Sequence, residues 1–297
     1  MDRFRLHLGF MLLAAALFPA AAFGQGGPRI VSGAGLVDYR HPEQLKTGMW
    51  TRYIIRETGG GVTEESQQMV SVAGFDTLGS EKGVWIETEY KDSGGVPRYC
   101  KTFVSLSIVG ADSGRGTFQE VVPEYARRVL SMDRPGAQIE ELNMPVVVNM
   151  SRKARPNPNA QTELTEQRDS LPSTEVVTVA GKFQCIPDRR RRDFRAVVNS
   201  NGVRRLHEQH EEIVAYRSDA VPLTHIVRQT HKISTRDSVI PQGAPDTWQP
   251  PFPFAVSLRE AILIKDGLDA KSAFPADAKT VPFGRPPASP EDTTRQR

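Results

Sequence analysis

Histidines, cysteines and clustered charges are where this chain could do chemistry. The densest group is His207-Glu-Gln-His210-Glu-Glu212. Zinc ligands three residues apart need a helix or a tight turn. On a strand those two side chains point to opposite faces, so the group reads as the solvated end of a hairpin. His225 and His231 are six residues apart on a strand pattern, roughly 20 Å at the usual rise, too far to share an ion. No metal set follows. Ser218-Asp219 pairs a nucleophile with an acid, but acyl-transfer chemistry also needs a positioned histidine. No Gly-x-Ser-x-Gly elbow occurs, and Asp219 before Ala-Val-Pro reads as a turn residue bonding its own backbone. No catalytic residue and no cofactor are expected.

Two further groups have a bland reading beside a functional one. Arg189, Arg190, Arg191 and Arg192, with Lys182, Arg195, Arg204 and Arg205 nearby, could touch anionic headgroups or lipopolysaccharide phosphates. The plainer reading is a charged hairpin that discourages edge pairing. Cys100 and Cys185 could pair in an oxidising compartment, closing a loop worth roughly 4–5 kcal/mol in the loop-entropy account. Alternatively they are separate buried thiols. Glu87 and Glu89 share one strand face and read as solvated. The Gly59–Gly61 and Gly94-Gly95 turns lack the strand-to-helix setting of phosphate loops.

These groups depend on the elements that would position them. Residues 1–24 read as a signal peptide: Arg3 and Arg5, an apolar Leu8–Leu17, then Ala22-Phe23-Gly24. That apolar run is too short to span a bilayer, and no later run is long enough for a membrane helix. The expected product is an exported periplasmic protein with no transmembrane segment after cleavage. The full chain's formal charge of +3 gives no support for nucleic-acid binding. Residues 25–44 read as a flexible lead-in.

Period-2 alternation then recurs. It runs from Met49, through Glu64–Ala73, and through Val84–Tyr90 with Val84, Ile86 and Tyr90 on one face. It continues through Arg98–Val109 with Cys100, Val104, Leu106 and Ile108 on one face. Further strands are expected at Phe118–Val122 and Tyr125–Met132, and from the Val146–Val148 run. Residues 151–172 read as a polar loop. Val177, Val179, Phe183 and Cys185 then share a strand face with a bend at Gly181, and Asn201-Gly202 is the strongest hairpin signal. Strands follow at Glu211–Arg217 and Leu223–Thr235. Residues 273–297 read as a disordered tail. Residues 45–272 make one domain. The pattern predicts an all-β fold, a strongly curved antiparallel sheet or open half-barrel with at most one or two short helices.

Val177-Thr-Val-Ala-Gly-Lys-Phe-Gln-Cys185, followed by Tyr216-Arg-Ser-Asp-Ala-Val-Pro222, resembles a pattern in exported bacterial proteins distantly similar to the Lol-type carriers of lipoproteins. Leu45-Lys-Thr-Gly-Met-Trp-Thr-Arg-Tyr53 and Ile262–Ser272 are similar to the opening and closing strands of that group. Val179 stands where a proline is usual, and Thr224-His225 where a glycine-containing pair is. The resemblance implies a half-barrel whose concave face can hold an apolar ligand, and it carries over no site. The first expectation is therefore a non-enzymatic carrier for a lipid or lipoprotein acyl chain, lined by Val84, Ile86, Tyr90, Val104, Leu106, Ile108, Val177 and Phe183. The second is a scaffold that binds an envelope protein and houses no small molecule. The two differ in whether that face encloses a cavity or a filled core.

Overall fold

The structure, a computed structural model, describes residues 32–107, 125–142, 160–200, 202–245, 247–275 and 279–282. The expected signal peptide, the strand at Phe118–Val122 and the Val146–Val148 run lie outside them.

The fold is all-β, one open, curled sheet, and no helix among the described residues reaches seven residues. Two short 3-10 turns, Gly33–Leu36 and Pro42–Gln44, precede it. Five strands run as a meander: β1 (Trp50–Gly59), β2 (Val62–Leu78), β3 (Glu81–Lys91), β4 (Pro97–Ser105) and β5 (Ala126–Met132). The short β6 (Ile139–Glu141) follows. The chain reappears at the other end of the sheet as β7 (Ala160–Ser170), β8 (Thr174–Thr178) and β9 (Gly181–Ser200). A second meander, β10 (Val203–Arg217), β11 (Ile226–Val239) and β12 (Ala255–Gly267), works back, and β13 (Thr280–Pro282) ends it. The spatial order is β13-β6-β5-β4-β3-β2-β1-β12-β11-β10-β9-β7, with β8 also on β9. The β1–β12 pair is the seam between the two meanders. All pairs are antiparallel except β6–β13.

Register slips at Arg52/Tyr53, Val72/Gly74, Phe103/Val104 and Tyr216/Arg217 each put an extra residue into one strand. Such bulges bend a strand and increase its twist, and strands as long as β9, at 20 residues, accumulate that twist into curl.

The main core lies on the inner face. β1 contributes Tyr53 and Ile55, β2 Val70 and Val72, β3 Val84 and Ile86, β4 Val104, and β12 Ala261 and Leu263. Fully burying each Val or Ile contributes roughly 1.5–3 kcal/mol. A smaller outer cluster joins Leu130, Met132, Ile139 and Phe274, with Trp85 and Tyr99 against it. A third joins Val197, Leu206 and Ile240 to Trp248 of the Pro-rich segment.

Several boundaries differ from expectation. Residues 32–44 are not a loose lead-in: Ser32 through Tyr39 are buried. Ala160–Ser170 is a strand within the expected loop of residues 151–172. Its alternation is masked because nearly all of its side chains are polar and face solvent. The stretch from Val176 to Cys185 is a hairpin, not one strand. It turns at Val179-Ala180 before Gly181, whose φ is +141°. The expected tail is ordered where Phe274 packs and where Thr280–Pro282 pairs with β6.

Candidate binding site on the inner face of the sheet

The apolar half of the inner face is occupied by the chain's own N-terminal segment. Ala34, Leu36, Val37, Tyr39 and Leu45 join the core formed by β1–β4. The segment is fixed by polar contacts as well. Gly33 N–H donates to Thr88 Oγ1 at 2.7 Å, and Ser32 Oγ bonds Thr102 Oγ1 at 2.9 Å. Asp38 N–H donates to the Leu223 carbonyl at 2.9 Å. A Cβ on Gly33 would lie 2.3 Å from Val70 Cγ2, so only glycine lets the backbone press this closely onto the sheet. Tyr39 donates to the Ala34 carbonyl and meets Tyr125 edge-on at 5.8 Å. Burial raises its phenol well above the ordinary value.

The expected ligand-lining residues fall into four groups. Val84, Ile86 and Val104 have 0% exposure and lie in the filled core. Leu106 and Phe183 pack against its margin, and Tyr90 is half-buried. Val177 is 64% exposed, and Val176 is the buried residue instead. The hairpin pairs Val176 with Phe183 and Thr174 with Cys185. An even residue on one arm therefore shares a face with an odd residue on the other, and single-strand parity picks the wrong valine. Ile108 lies outside the described residues.

Cys100 and Cys185 are not a disulfide but two free, buried thiols. Burial pushes Cys100 up to about 11, against the opposing hydrogen bond with Thr102, and burial also raises Cys185. Both therefore stay protonated and unreactive at neutral pH.

The arginine run lies mid-strand in the β9–β10 hairpin, with β9 flanked by β7 and β10, and alternation splits it. Arg189 bonds Asp169 at 2.9 Å and Arg191 bonds Glu212 at 3.0 Å on one face. On the inner face Arg192 lies 3.4 Å from Glu166 and 3.6 Å from Glu211. Glu166 also holds Arg168 at 3.0 Å, and Glu211 accepts from His231 at 2.7 Å. The result is a polar ladder, Arg168–Glu166–Arg192–Glu211–His231, spanning four strands and reaching a histidine only 4% exposed. The hydrogen bond with His231 holds the Glu211 carboxyl below its ordinary value, against the opposing effect of burial.

This ladder was missed in the sequence. Its signal was there: Arg190 and Arg192, and Glu211 with Ile213, alternate in register. A run of four arginines hides which two point inward.

The other candidates sort simply. His207 bonds Asp237 and His210 bonds Asp193, each at 2.6 Å. Among the described residues no group of His, Cys, Asp and Glu is placed to hold a metal ion. His225 comes within 3.6 Å of Asp219 and 3.9 Å of Asp38. However, Asp219 projects fully into solvent, and Ser218 N–H donates to the His225 carbonyl to close the turn. Glu87, expected in solvent, is buried at 5% exposure. It pairs with Lys101 at 3.2 Å and accepts from Ser272 Oγ and from Ala273 N–H. The C-terminal segment covering the outer face accounts for its burial. No helix among the described residues is long and apolar enough to cross a membrane.

No protein-family profile matches this chain, and no curated protein matches it. Solved structures that are similar in part include two bacterial proteins. One is a Bacteroides fragilis protein inferred to be exported, with a YmcC-like fold: 10% identity, 75% of this chain and 97% of that one covered, TM-score 0.30. The other is a Parabacteroides distasonis protein inferred to be a lipoprotein: 11% identity, 75% and 96% covered, TM-score 0.29. Likenesses this remote carry no function across.

Proposed function

We propose that this protein is an exported interaction module that works without catalytic turnover and houses no acyl chain in its core. The observation behind this reading is the filled apolar half of the inner face. A lipid carrier needs that face free, because acyl chains bind by removing apolar surface from water. Here Val84, Ile86 and Val104, the residues best placed to line such a cavity, have no exposure at all. The segment that covers them adds hydrogen bonds at Gly33, Ser32 and Asp38. That leaves the polar half of the inner face and the outer edge of β7 for recognition, surfaces suited to an envelope partner. The absence of turnover is supported by Asp219 lying fully exposed beside His225. A carboxylate in bulk water polarises a histidine weakly.

The test is native mass spectrometry of chain purified without detergent, with solvent extraction of the same sample. The expected spectrum is the polypeptide mass alone, and the extract holds no stoichiometric lipid. One bound acyl species per chain would overturn the reading and restore the carrier.

A further inference from the structure

We propose that this protein associates with a second copy of itself through β7, the two strands pairing antiparallel with Leu164 on the two-fold axis. β7 is the terminal strand at one end of the sheet. All 11 of its residues pair with β9 on one side, without a register slip. Among the described residues no strand pairs with its other side. That side presents a row of backbone donors and acceptors, a template for another strand.

The two ends of the sheet differ. At the opposite end β13 is 3 residues long, finishes on Pro282 and rests on the equally short β6. Short length and proline both discourage edge pairing. β7 has neither protection, and it carries no bulge and no lysine. Its inward charges are neutralised, because Glu166 and Arg168 are bonded to each other within the strand and Arg192 lies 3.4 Å from Glu166.

Leu164 is the one apolar residue from Gln161 to Ser170, and it is 48% exposed. It stands opposite Phe194 of β9, which is half-buried. Removing such apolar surface from water is favourable, so the preferred register is one that covers Leu164.

Few registers are open. Residues directly opposite in an antiparallel pair share a face, and a two-fold axis perpendicular to the sheet keeps inner face with inner face. The axis therefore passes through one residue of β7. At Glu163, Glu166 or Arg168 it sets like charges opposite, which is destabilising. At Thr165 it sets Leu164 against a glutamate, and at Gln167 against a serine. An axis nearer either end of β7 pairs fewer residues. At Leu164 the leucine meets its own copy with a Phe194 on each side, an apolar row of four across the seam. Glu163 then faces the partner's Thr165, and Glu166 faces the partner's Thr162. The remaining cost is that the two Glu163 carboxylates lie diagonally across the seam, within reach of one another.

This pairing rests on the reading above, which leaves the β7 edge for recognition, and makes a second copy the partner there. Sedimentation velocity of the full exported chain over a series of concentrations tests it. The expected result is a reversible monomer–dimer equilibrium, since a single strand pair is a small interface.

Leu164→Lys removes the apolar row and sets like charges at the axis, and is expected to weaken the dimer roughly tenfold or more. Leu258→Lys changes a leucine 42% exposed on β12, far from either edge, and is expected to stay within about twofold, since the sites share no contacts. Glu163→Gln relieves the diagonal repulsion and is expected to tighten the dimer about two- to fivefold, a gain that misfolding cannot mimic. A chain that stays monomeric at every concentration, equal losses in the two lysine variants, or a looser dimer in Glu163→Gln would overturn the pairing. A lipid-free monomer would contradict this pairing alone. A dimer that copurifies with a core lipid would contradict only the reading above.

Discussion

Gln68 is 1% exposed, and both atoms of its side-chain amide lack a hydrogen-bond partner. It sits opposite Tyr53 on the core face, beneath Gly33 of the covering segment. An unsatisfied buried amide costs about 1–3 kcal/mol, so Gln68→Leu should stabilise the fold by about 1 kcal/mol after repacking. Urea unfolding checks this, and a lower midpoint in the variant would mean that the amide has a partner in solution. Glu211 tells a second story at this scale. Its folded pKa is depressed by the hydrogen bond with His231. Its stabilisation is therefore present above the unfolded carboxylate value of about 4.3 and is lost as pH falls through the lower folded value. The stability gap between the wild type and Glu211→Gln should be widest at pH 7 and close towards pH 3. A gap that does not change with pH would remove the carboxylate from the account. Residue roles were the least legible part of the sequence. Glu87 alternates like a solvated strand residue, and only the return of Ser272–Phe274 over it makes it buried. Nothing local to Glu87 signals that return.

The elements were legible wherever apolar and polar residues alternate. β1, β3 and β4 stand close to where periodicity put them, because each has one face in the core and one in solvent, whereas the periodicity of Ser257–Lys265, within β12, fits a short helix as well as a strand. β7 was not legible. Apart from Leu164, its residues Gln161–Ser170 are polar on both sides, and it is a strand only because β9 supplies hydrogen-bonding partners along its length. The β8–β9 hairpin was mistaken for one strand because Val179-Ala180 carries no strong turn residue besides the following Gly181. The C-terminal segment supports a prediction at this scale. Lys101 bridges Glu87 and the rings of Trp85 and Phe274, at 5.5 and 5.7 Å from the ring centres. Glu87→Gln leaves a half-buried ammonium without its counter-charge and weakens the anchor on Ser272 and Ala273. Removing one partner of a buried pair costs about 3 kcal/mol. Limited proteolysis should then cut near residue 272 first, while the wild type resists there. Equal resistance in both would show that Phe274 holds the segment alone.

At the scale of the whole molecule, two meanders meet at the β1–β12 seam and curl into an open sheet with an inner and an outer face. Composition and periodicity foresaw that sheet. What they could not foresee is that residues 32–45, glycine-rich and irregular, would lie across its apolar half. Such a segment has no periodicity of its own and takes its structure from the surface it covers. The difference between a carrier and an interaction module turns on whether that cover ever lifts. Native-state hydrogen exchange at the backbone amides of Gly33 and Asp38, which donate to Thr88 Oγ1 and the Leu223 carbonyl, reads this directly. If the apolar face is permanently filled, both amides exchange only through global unfolding, with the same denaturant dependence as the amides of β3. Exchange through a low-energy opening while β3 stays protected would contradict the account and make residues 32–45 a displaceable plug.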